Sequence, residues 1–553
     1  MAEIAHRPAV RSWMPLLVLA LVSMAVFCRA LGHDFLINWD DRQYVLDNSI
    51  IRGFSLDHLK AAFTTFYLGN YAPLHLVSYM LDYQFCGMNA TGFILSNILL
   101  HTMNGMLFYL LLRRIAGERV WIFAAALIFL LHPVQVESVA WVSQRKNLLA
   151  MSFFLMAIYL YREYRGGERK KPALFYLLSL AAFILALLAK SVVVILPLVL
   201  ILFDNCLLNR RDLKGLFLDK VPFIAIAAIF CVVAVESQSM QYQGGRSSWH
   251  GGTPYATFLT MLPVLASYLR MIAWPANLSA FYDVPIRTAV DGEVAMAALL
   301  CLILIAAGVL LYRRRRPLFF WFALFFIGLI PVSQIVPIVT LMNDRYLYFP
   351  MLGAASFLGM VAFGDKVWSE LSPSPKALAV PLIFLFMTVA LAAASVRRVG
   401  VWWDSATLWG DAVRKAPNLA LTHDSYGEGL LQQGDIDEAV GQFMIALSLD
   451  KARDGIQEDA GERNARADTH NNLGTAYGMK GLADAAIDQF STAIRLNPGF
   501  AKAYYNLGNG LMHKGMFAEA LQCFEIAVRL EPANPALLDK LMMTRDLINQ
   551  MNK

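Results

Sequence analysis

The 553 residues are 58% hydrophobic and only 16% charged, with a mean hydropathy of +0.50. That is too much apolar surface for one water-soluble core, so lipid is the solvent for much of the chain. The net charge of +6 sits largely in short basic clusters between apolar runs, which suits membrane orientation better than a nucleic-acid surface. Six dispersed cysteines without a CxxC spacing support neither a disulfide framework nor a zinc site.

The first apolar run, Trp13 to Leu31, follows His6, Arg7 and Arg11. No Ala-x-Ala-like cleavage site is evident, so it reads as an uncleaved first span. Further runs long enough to cross about 30 Å of hydrocarbon as helices lie near 94–112, 119–136, 146–162, 172–189, 191–208, 220–236, 295–312, 317–336, 346–364 and 377–396, eleven spans in all. With this parity the clusters Arg113, Arg114 and Arg119, Arg162 to Lys171, Arg210, Arg211 and Lys214, and Arg313 to Arg316 share the side of the N-terminus. The excess of positive charge makes that side cytoplasmic. The run Thr257 to Trp274 carries Arg270 and Pro263 and is read as an interfacial or re-entrant helix on the outer side. Arg397 and Arg398, at the outer end of the last span, go against the charge rule. Trp39, Tyr67, Tyr71, Tyr79 and Tyr83 suit an aromatic belt at the interface.

After residue 400 the composition becomes that of a soluble domain, and a period appears. Asn472-Leu473-Gly474 recurs as Asn506-Leu507-Gly508, with Gly481 and Gly515, Ala486 and Ala520, Phe490 and Phe524, Ala493 and Ala527, and Pro498 and Pro532 at the same offset of 34. That is the tetratricopeptide period. An earlier unit carries Gly427, Gly434, Ala439, Phe443 and Ala446, displaced by a charged insertion around Lys451 to Arg463, and Trp409 with Ala412 marks half a repeat before it. The expected fold is therefore all-α. A multi-pass helical bundle occupies residues 1–400, and an external tetratricopeptide solenoid of half a repeat plus about three repeats occupies 401–553.

Under this topology the unusual polar groups all fall at outer span ends. Asp40 and Asp41 open the first external loop; His132, Pro133 and Glu137 close the third span; Arg145 and Lys146 open the fourth. Lys190 separates the fifth from the sixth, and Asp344, Arg345 and Tyr346 begin the tenth. Ionisable groups at such depth are costly and point to function. Carboxylates beside guanidinium and ammonium groups suit a lipid that carries a phosphate and a leaving group. Arg145, Lys146, Lys190 or Arg345 binds phosphate oxygens, and Asp40 or Asp41 removes a proton from an attacking hydroxyl. Each has a structural alternative: an Asp41–Arg42 ion pair, a helix terminus at His132-Pro133, basic side chains snorkelling to headgroups. Two adjacent acids also suit a shared divalent metal ion without making a site by themselves. No P-loop, Rossmann glycine pattern or HExxH occurs.

Trp39-Asp40-Asp41, His132-Pro133 with Glu137-Ser138-Val139-Ala140, Arg145 with Asn147-Leu148-Leu149-Ala150, Arg345-Tyr346-Leu347-Tyr348 with Pro350, and the repeat tail occur in this order. Together they resemble the transmembrane and tetratricopeptide-repeat-containing O-mannosyltransferases and their bacterial relatives, within the C-type integral-membrane glycosyltransferases. The resemblance implies transfer of a sugar from a polyprenyl-phosphate or dolichyl-phosphate carrier to a hydroxyl of an external acceptor, such as a protein recruited by the repeats. It gives the acidic role to Asp40 and Asp41, a donor-phosphate contact to Arg345, and pocket membership to His132, Glu137 and Arg145. The tail departs from longer relatives in its few repeats and its insertion. The location implied is the inner membrane of a bacterium with periplasmic repeats, or a lumenal tail in a eukaryote. The other classes of function consistent with the sequence are a non-catalytic membrane scaffold and a flippase or lipid transporter, though no inverted repeat is evident.

Overall fold

A computed structural model describes residues 13–166, 171–210, 212, 216–241, 248–364, 376–451, 460–532 and 534–551. His6, Arg7, Arg11, Arg211, Lys214, part of the basic stretch 162–171 and residues 452–459 of the insertion lie outside them. The described residues are helical, with no strand beyond a single bridge between Tyr67 and Asn70, and they fall into two compact units, Met1–Trp403 and Asp404–Lys553.

In the first unit the helices are α1 (Met14–Phe27), α2 (Leu56–Thr64), α3 (Pro73–Cys86), α4 (Ala90–Ala116), α5 (Val120–Leu131), α6 (Val136–Ala140), α7 (Arg145–Arg165) and α8 (Pro172–Ala189). They continue as α9 (Leu196–Cys206), α10 (Val221–Gln241), α11 (Pro254–Ala273), α12 (Gly292–Arg314), α13 (Arg316–Leu329), α14 (Pro350–Phe363) and α15 (Lys376–Val401). Among the described residues seven helices are long and apolar enough to cross a bilayer unaided, and the chain is a multi-pass membrane protein. Each of the eleven expected spans coincides with helix. Some are interrupted: α5 and α6 form one run bent by 51° at His132-Pro133, and Lys190 is extended (φ −162°) between α8 and the 3-10 turn before α9. Proline lacks the amide that continues a helix, and irregular backbone at membrane depth is tolerated where it is buried or lines a cavity. The breaks at His132, Lys190 and Pro331 are where polar groups leave the helices.

The helices pack through small residues and buried polar pairs. A Cβ at Gly359 of α14 would lie 2.8 Å from the Trp121 carbonyl of α5, so glycine sets how closely these helices approach. Asn104 of α4 donates to the Leu148 carbonyl (2.9 Å) and accepts from Ser152 Oγ (2.6 Å) of α7, and His101 Nδ1 lies 2.9 Å from Tyr348 Oη. In hydrocarbon such bonds satisfy groups that have no water to turn to.

The segment expected to be an interfacial or re-entrant helix is the continuous 20-residue helix α11, which passes through Pro263 and is also long and apolar enough for a span. Its flanks nevertheless meet the same end of the unit. His250 Nε2, before the helix, bonds the Ile338 carbonyl (2.9 Å), and the Ile272 carbonyl at its far end accepts from His132 Nε2 (3.0 Å). The described basic loops meet at the other end: Arg114 pairs with Glu163, Tyr312 Oη bonds Asn205 Oδ1 (3.1 Å), and Arg316 Nη1 bonds Asn209 Oδ1 (3.0 Å).

The second unit holds α16 (Ser405–Lys415), then α17 (Ala420–Gln433) with α18 (Ile436–Lys451), α19 (Ala460–Met479) with α20 (Ala483–Leu496), α21 (Ala501–His513) with α22 (Phe517–Leu530), and α23 (Pro535–Met551). The period of 34 is now a packing rule. A Cβ at Gly427, Gly474 or Gly508 would come within 2.6 to 2.7 Å of the ring of Phe443, Phe490 or Phe524, so each first helix offers a glycine notch to the phenylalanine of the second. Gly434, Gly481 and Gly515 take positive φ (86°, 76° and 75°) in the turns between. The repeats form the tetratricopeptide solenoid, with α16 as the half repeat. Arg463, expected in the insertion, lies in the extended start of α19.

Candidate active site

Asp40, Gln144, Lys146, Asn147, Lys190, Thr340, Arg345 and Tyr346 line one cavity of about 400 Å³, together with the turn Leu68–Asn70 and apolar residues of the loop after α13. Four of the predicted outer span ends thus converge: the first loop, the start of α7, the break after α8, and the segment before α14.

Neighbouring acids part company here. Asp41 is buried, and its carboxylate accepts from Leu36 N (3.1 Å), Ser143 N (3.0 Å) and Ser143 Oγ. Burial pushes this carboxyl up to about 6 against the pull of those donors. Asp41 therefore ties the first loop to the turn before α7 and does not line the cavity. The alternative Asp41–Arg42 pair is not formed among the described residues; Arg42 Nε bonds Asp47 instead, at 3.1 Å. Asp40 lines the cavity, and among the described residues its carboxylate makes no hydrogen bond or ion pair.

The cations also differ. Arg345 is held by Glu137, which is fully buried: Nη1 to Oε1 is 2.5 Å, and the Arg345 amide donates to Oε2 at 2.8 Å. The guanidinium also lies over the Trp141 ring, 5.4 Å from its centre. Glu137 itself is outside the cavity lining and positions Arg345. Lys146 Nζ donates to Tyr44 Oη (3.4 Å) and sits 4.7 Å from the centre of that ring, while Lys190 Nζ donates to Asn147 Oδ1 (2.6 Å). Neither lysine has an acid within ion-pair distance among the described residues. The Tyr346 hydroxyl shares a 2.6 Å bond with Thr340 Oγ1 on the cavity rim.

Three predicted residues stand elsewhere. Arg145 is buried, pairing with Asp82 and bonding Asn97 Oδ1 (2.8 Å) and the Phe93 carbonyl (2.5 Å), with its guanidinium 4.7 Å from the centre of the Tyr79 ring. It clamps α3, α4 and α7 together. His132 caps the broken α5–α6 helix, its Nδ1 accepting from Val134 N (3.4 Å), and bonds the end of α11. Asp344 is buried, accepting from Tyr282 Oη and from Arg398 Nη2 (3.3 Å). Arg398, which broke the charge rule, is thus an internal partner and no topology signal.

Gln144 and Asn147, beside Arg145 and Lys146 at the start of the fourth span, also line the cavity with Asn70 and Gln238; for the last two, uncharged amides outside any motif gave no sequence signal. Among the described residues no three His, Cys, Asp or Glu side chains converge as metal ligands.

The tetratricopeptide repeat family model matches residues 501–534. Over most of its length the chain is similar to protein O-mannosyl-transferases. One of Caenorhabditis elegans is 25% identical over 458 residues, 79% of this chain and 62% of that protein. Of two from Mus musculus, TMTC4 is 25% identical over 491 residues (77% of this chain, 65% of the other) and TMTC3 is 23% identical over 473 residues (79% and 50%). The chain thus spans half to two thirds of the length of these relatives. Among solved structures, ArnT from Cupriavidus metallidurans bound to undecaprenyl phosphate aligns over 89% of this chain and 81% of its own, at 14% identity and a TM-score of 0.38.

Proposed function

We propose that this protein is a membrane glycosyltransferase that moves a sugar, mannose or a similar hexose, from a polyprenyl-phosphate carrier to a hydroxyl on an external acceptor. The observation that carries the reading is the Asp40 carboxylate, without a hydrogen bond or ion pair among the described residues, in one polar cavity with the Lys146 and Lys190 ammonium groups, whose hydrogen bonds go to uncharged partners. The similarity to O-mannosyl-transferases over 79% of the chain supports the reaction class.

In this reading Asp40 accepts the proton of the acceptor hydroxyl as its oxygen bonds the anomeric carbon. The bond from that carbon to the phosphate oxygen breaks, and its electron pair leaves on the phosphate, which stays attached to the lipid. The leaving phosphate gains negative charge, and Lys146 and Lys190 stabilise it. Arg345, already paired with Glu137, contributes a fixed guanidinium beside Tyr346. Clustering of the basic loops at the opposite end of the bundle supports an external cavity, periplasmic in a bacterium and lumenal in a eukaryote. The repeats recruit the acceptor protein through their concave face.

The test is Asp40→Asn in cells, with glycoproteins and glycolipids read by mass spectrometry. Transfer is lost while the protein still inserts and folds, because the carboxamide keeps the shape but cannot take the proton. Undiminished product would refute the proposed role of Asp40.

A further inference from the structure

Asp40 faces the cavity without a hydrogen bond or ion pair among the described residues, so its carboxylate is aimed by the backbone and by whatever holds the residues on either side. On one side Asp41 is held by Leu36 N, Ser143 N and Ser143 Oγ. On the other side stands a cluster of rings. Trp39 packs on Trp141, with 4.2 Å between ring centres, and on Trp402, 6.2 Å away and parallel to within 12°. Trp141 and Trp402 stack on each other at 5.9 Å, and both are 1% exposed.

Each of those two rings also carries an anchored guanidinium. Arg345 lies 5.4 Å from the centre of Trp141 and pairs with Glu137, and Arg398 lies 5.7 Å from the centre of Trp402 and pairs with Asp344. Aromatic and cation–π contacts are directional, so this seat fixes the orientation of Trp39 as well as its place. Trp403 grips the other end of the same loop. Its carbonyl accepts from Asp34 N (3.2 Å), its ring lies edge-on to His33 at 5.5 Å, and a Cβ on Gly32 would come within 2.9 Å of it. Two adjacent residues just past α15 thus hold the first loop at Gly32–Asp34 and again at Trp39.

We propose that Trp402 and Trp403 are positioning residues for Asp40, seating the first loop so that the carboxylate enters the cavity already directed at the reacting hydroxyl. The assignment rests on the reading of Asp40 as the proton acceptor and adds to it the distant segment that sets its aim. Trp402 carries the larger share, because it acts on the residue next to the acid, whereas Trp403 acts at the far end of the loop. A shift of about 1 Å in a reacting group is enough to cost about 10²-fold in rate.

The test is a double-mutant cycle in membranes that carry the full-length protein. The donor is polyprenyl-phosphate mannose labelled in the sugar, and incorporation into endogenous acceptor is followed per folded molecule at limiting and saturating donor. Trp402→Leu, which keeps apolar bulk and removes the flat ring, is expected to lower kcat by about ten- to a hundredfold while the donor KM stays unchanged. In the Asp40→Asn background Trp402→Leu is expected to cost nothing further, because a positioning residue acts only through the group it positions. An unchanged kcat in Trp402→Leu, a donor KM that rises as kcat falls, or an equal further loss in the Asp40→Asn background each overturns the proposal and leaves the cluster as packing alone. Those outcomes leave the transferase reading standing where Asp40→Asn by itself sharply lowers transfer. Undiminished transfer by Asp40→Asn removes the role that is being positioned, and both fall. Should Trp402→Leu fail to fold, Trp403→Leu takes its place in the same cycle under the same criteria.

Discussion

Helix α7 carries a buried charge cluster at each end, and the two are built differently. At its C-terminal end Asp204 accepts from Tyr161 (2.8 Å), Arg165 (2.7 Å) and Lys220, while Asp219 accepts from Lys220 (2.8 Å) and Arg165. Two cations face two acids, each cation paired with both. At the N-terminal end, about 30 Å away along the helix, Arg345 is paired with Glu137, but Lys146, Lys190 and Asp40 are in no ion pair among the described residues. Burying charge is costly unless it is matched, so the closed cluster reads as a staple, whereas at the cavity end Lys146 and Lys190 are held by uncharged partners and Asp40 stands apart from them in the same cavity. The difference separates architecture from chemistry in a protein whose two ends are equally rich in charged residues.

Mutations at the two ends should fail in different assays. The largest effect expected is on activity alone: Asp40→Asn lowers transfer by about 10²–10⁴-fold with an unchanged melting temperature, measured by mass spectrometry of glycosylated products beside a thermal melt. Asp204→Asn does the reverse. Removing one acid from the closed cluster strands buried cations and costs about 3–5 kcal/mol of stability, seen as a lowered melting temperature in detergent, while activity per folded molecule is kept. If Asp204→Asn abolished transfer without destabilising the protein, the contrast between staple and site would be wrong.

Smaller effects sharpen the contrast within the cavity end itself. Lys146→Met or Lys190→Met removes a charged donor from the proposed phosphate contact, worth about 1.5–3 kcal/mol. Undecaprenyl phosphate binding, followed by titration, should weaken by about ten- to a hundredfold, with little change in melting. The smallest effect concerns Asp41. Its folded value of about 6 lies above the ordinary 3.8, so the folded state binds this proton more tightly. The stability it contributes is complete below 3.8 and is lost as pH rises through about 6. Ser143→Ala removes a donor to the carboxylate, so a pH series of thermal melts should show that loss moved to higher pH than in wild type.

Much of this was legible beforehand because it follows from local rules. Apolar length gives the spans, the period of 34 gives the repeats, and the outer ends gave Asp40, Lys146, Lys190, Arg345 and Tyr346 as members of one pocket. Arg145, His132 and Asp344 carry the same signals and turn out to be internal partners, because residue type and depth do not say whether a counter-charge waits nearby. For Arg145 that counter-charge is Asp82, 63 residues back in the chain. A proline such as Pro263 marks a weak point in a helix, but the surrounding packing decides whether the helix ends there, and α11 runs through it.

The sequence by itself determined that this chain is an all-helical membrane protein with a tetratricopeptide tail, since hydropathy and a fixed repeat are properties of short segments. Only the tertiary structure decided which of two adjacent acids faces the cavity. Asp41 is turned inward by Ser143, 102 residues further on, and the choice between a satisfied and an unsatisfied carboxylate depends on where distant donors are brought, which no local pattern records.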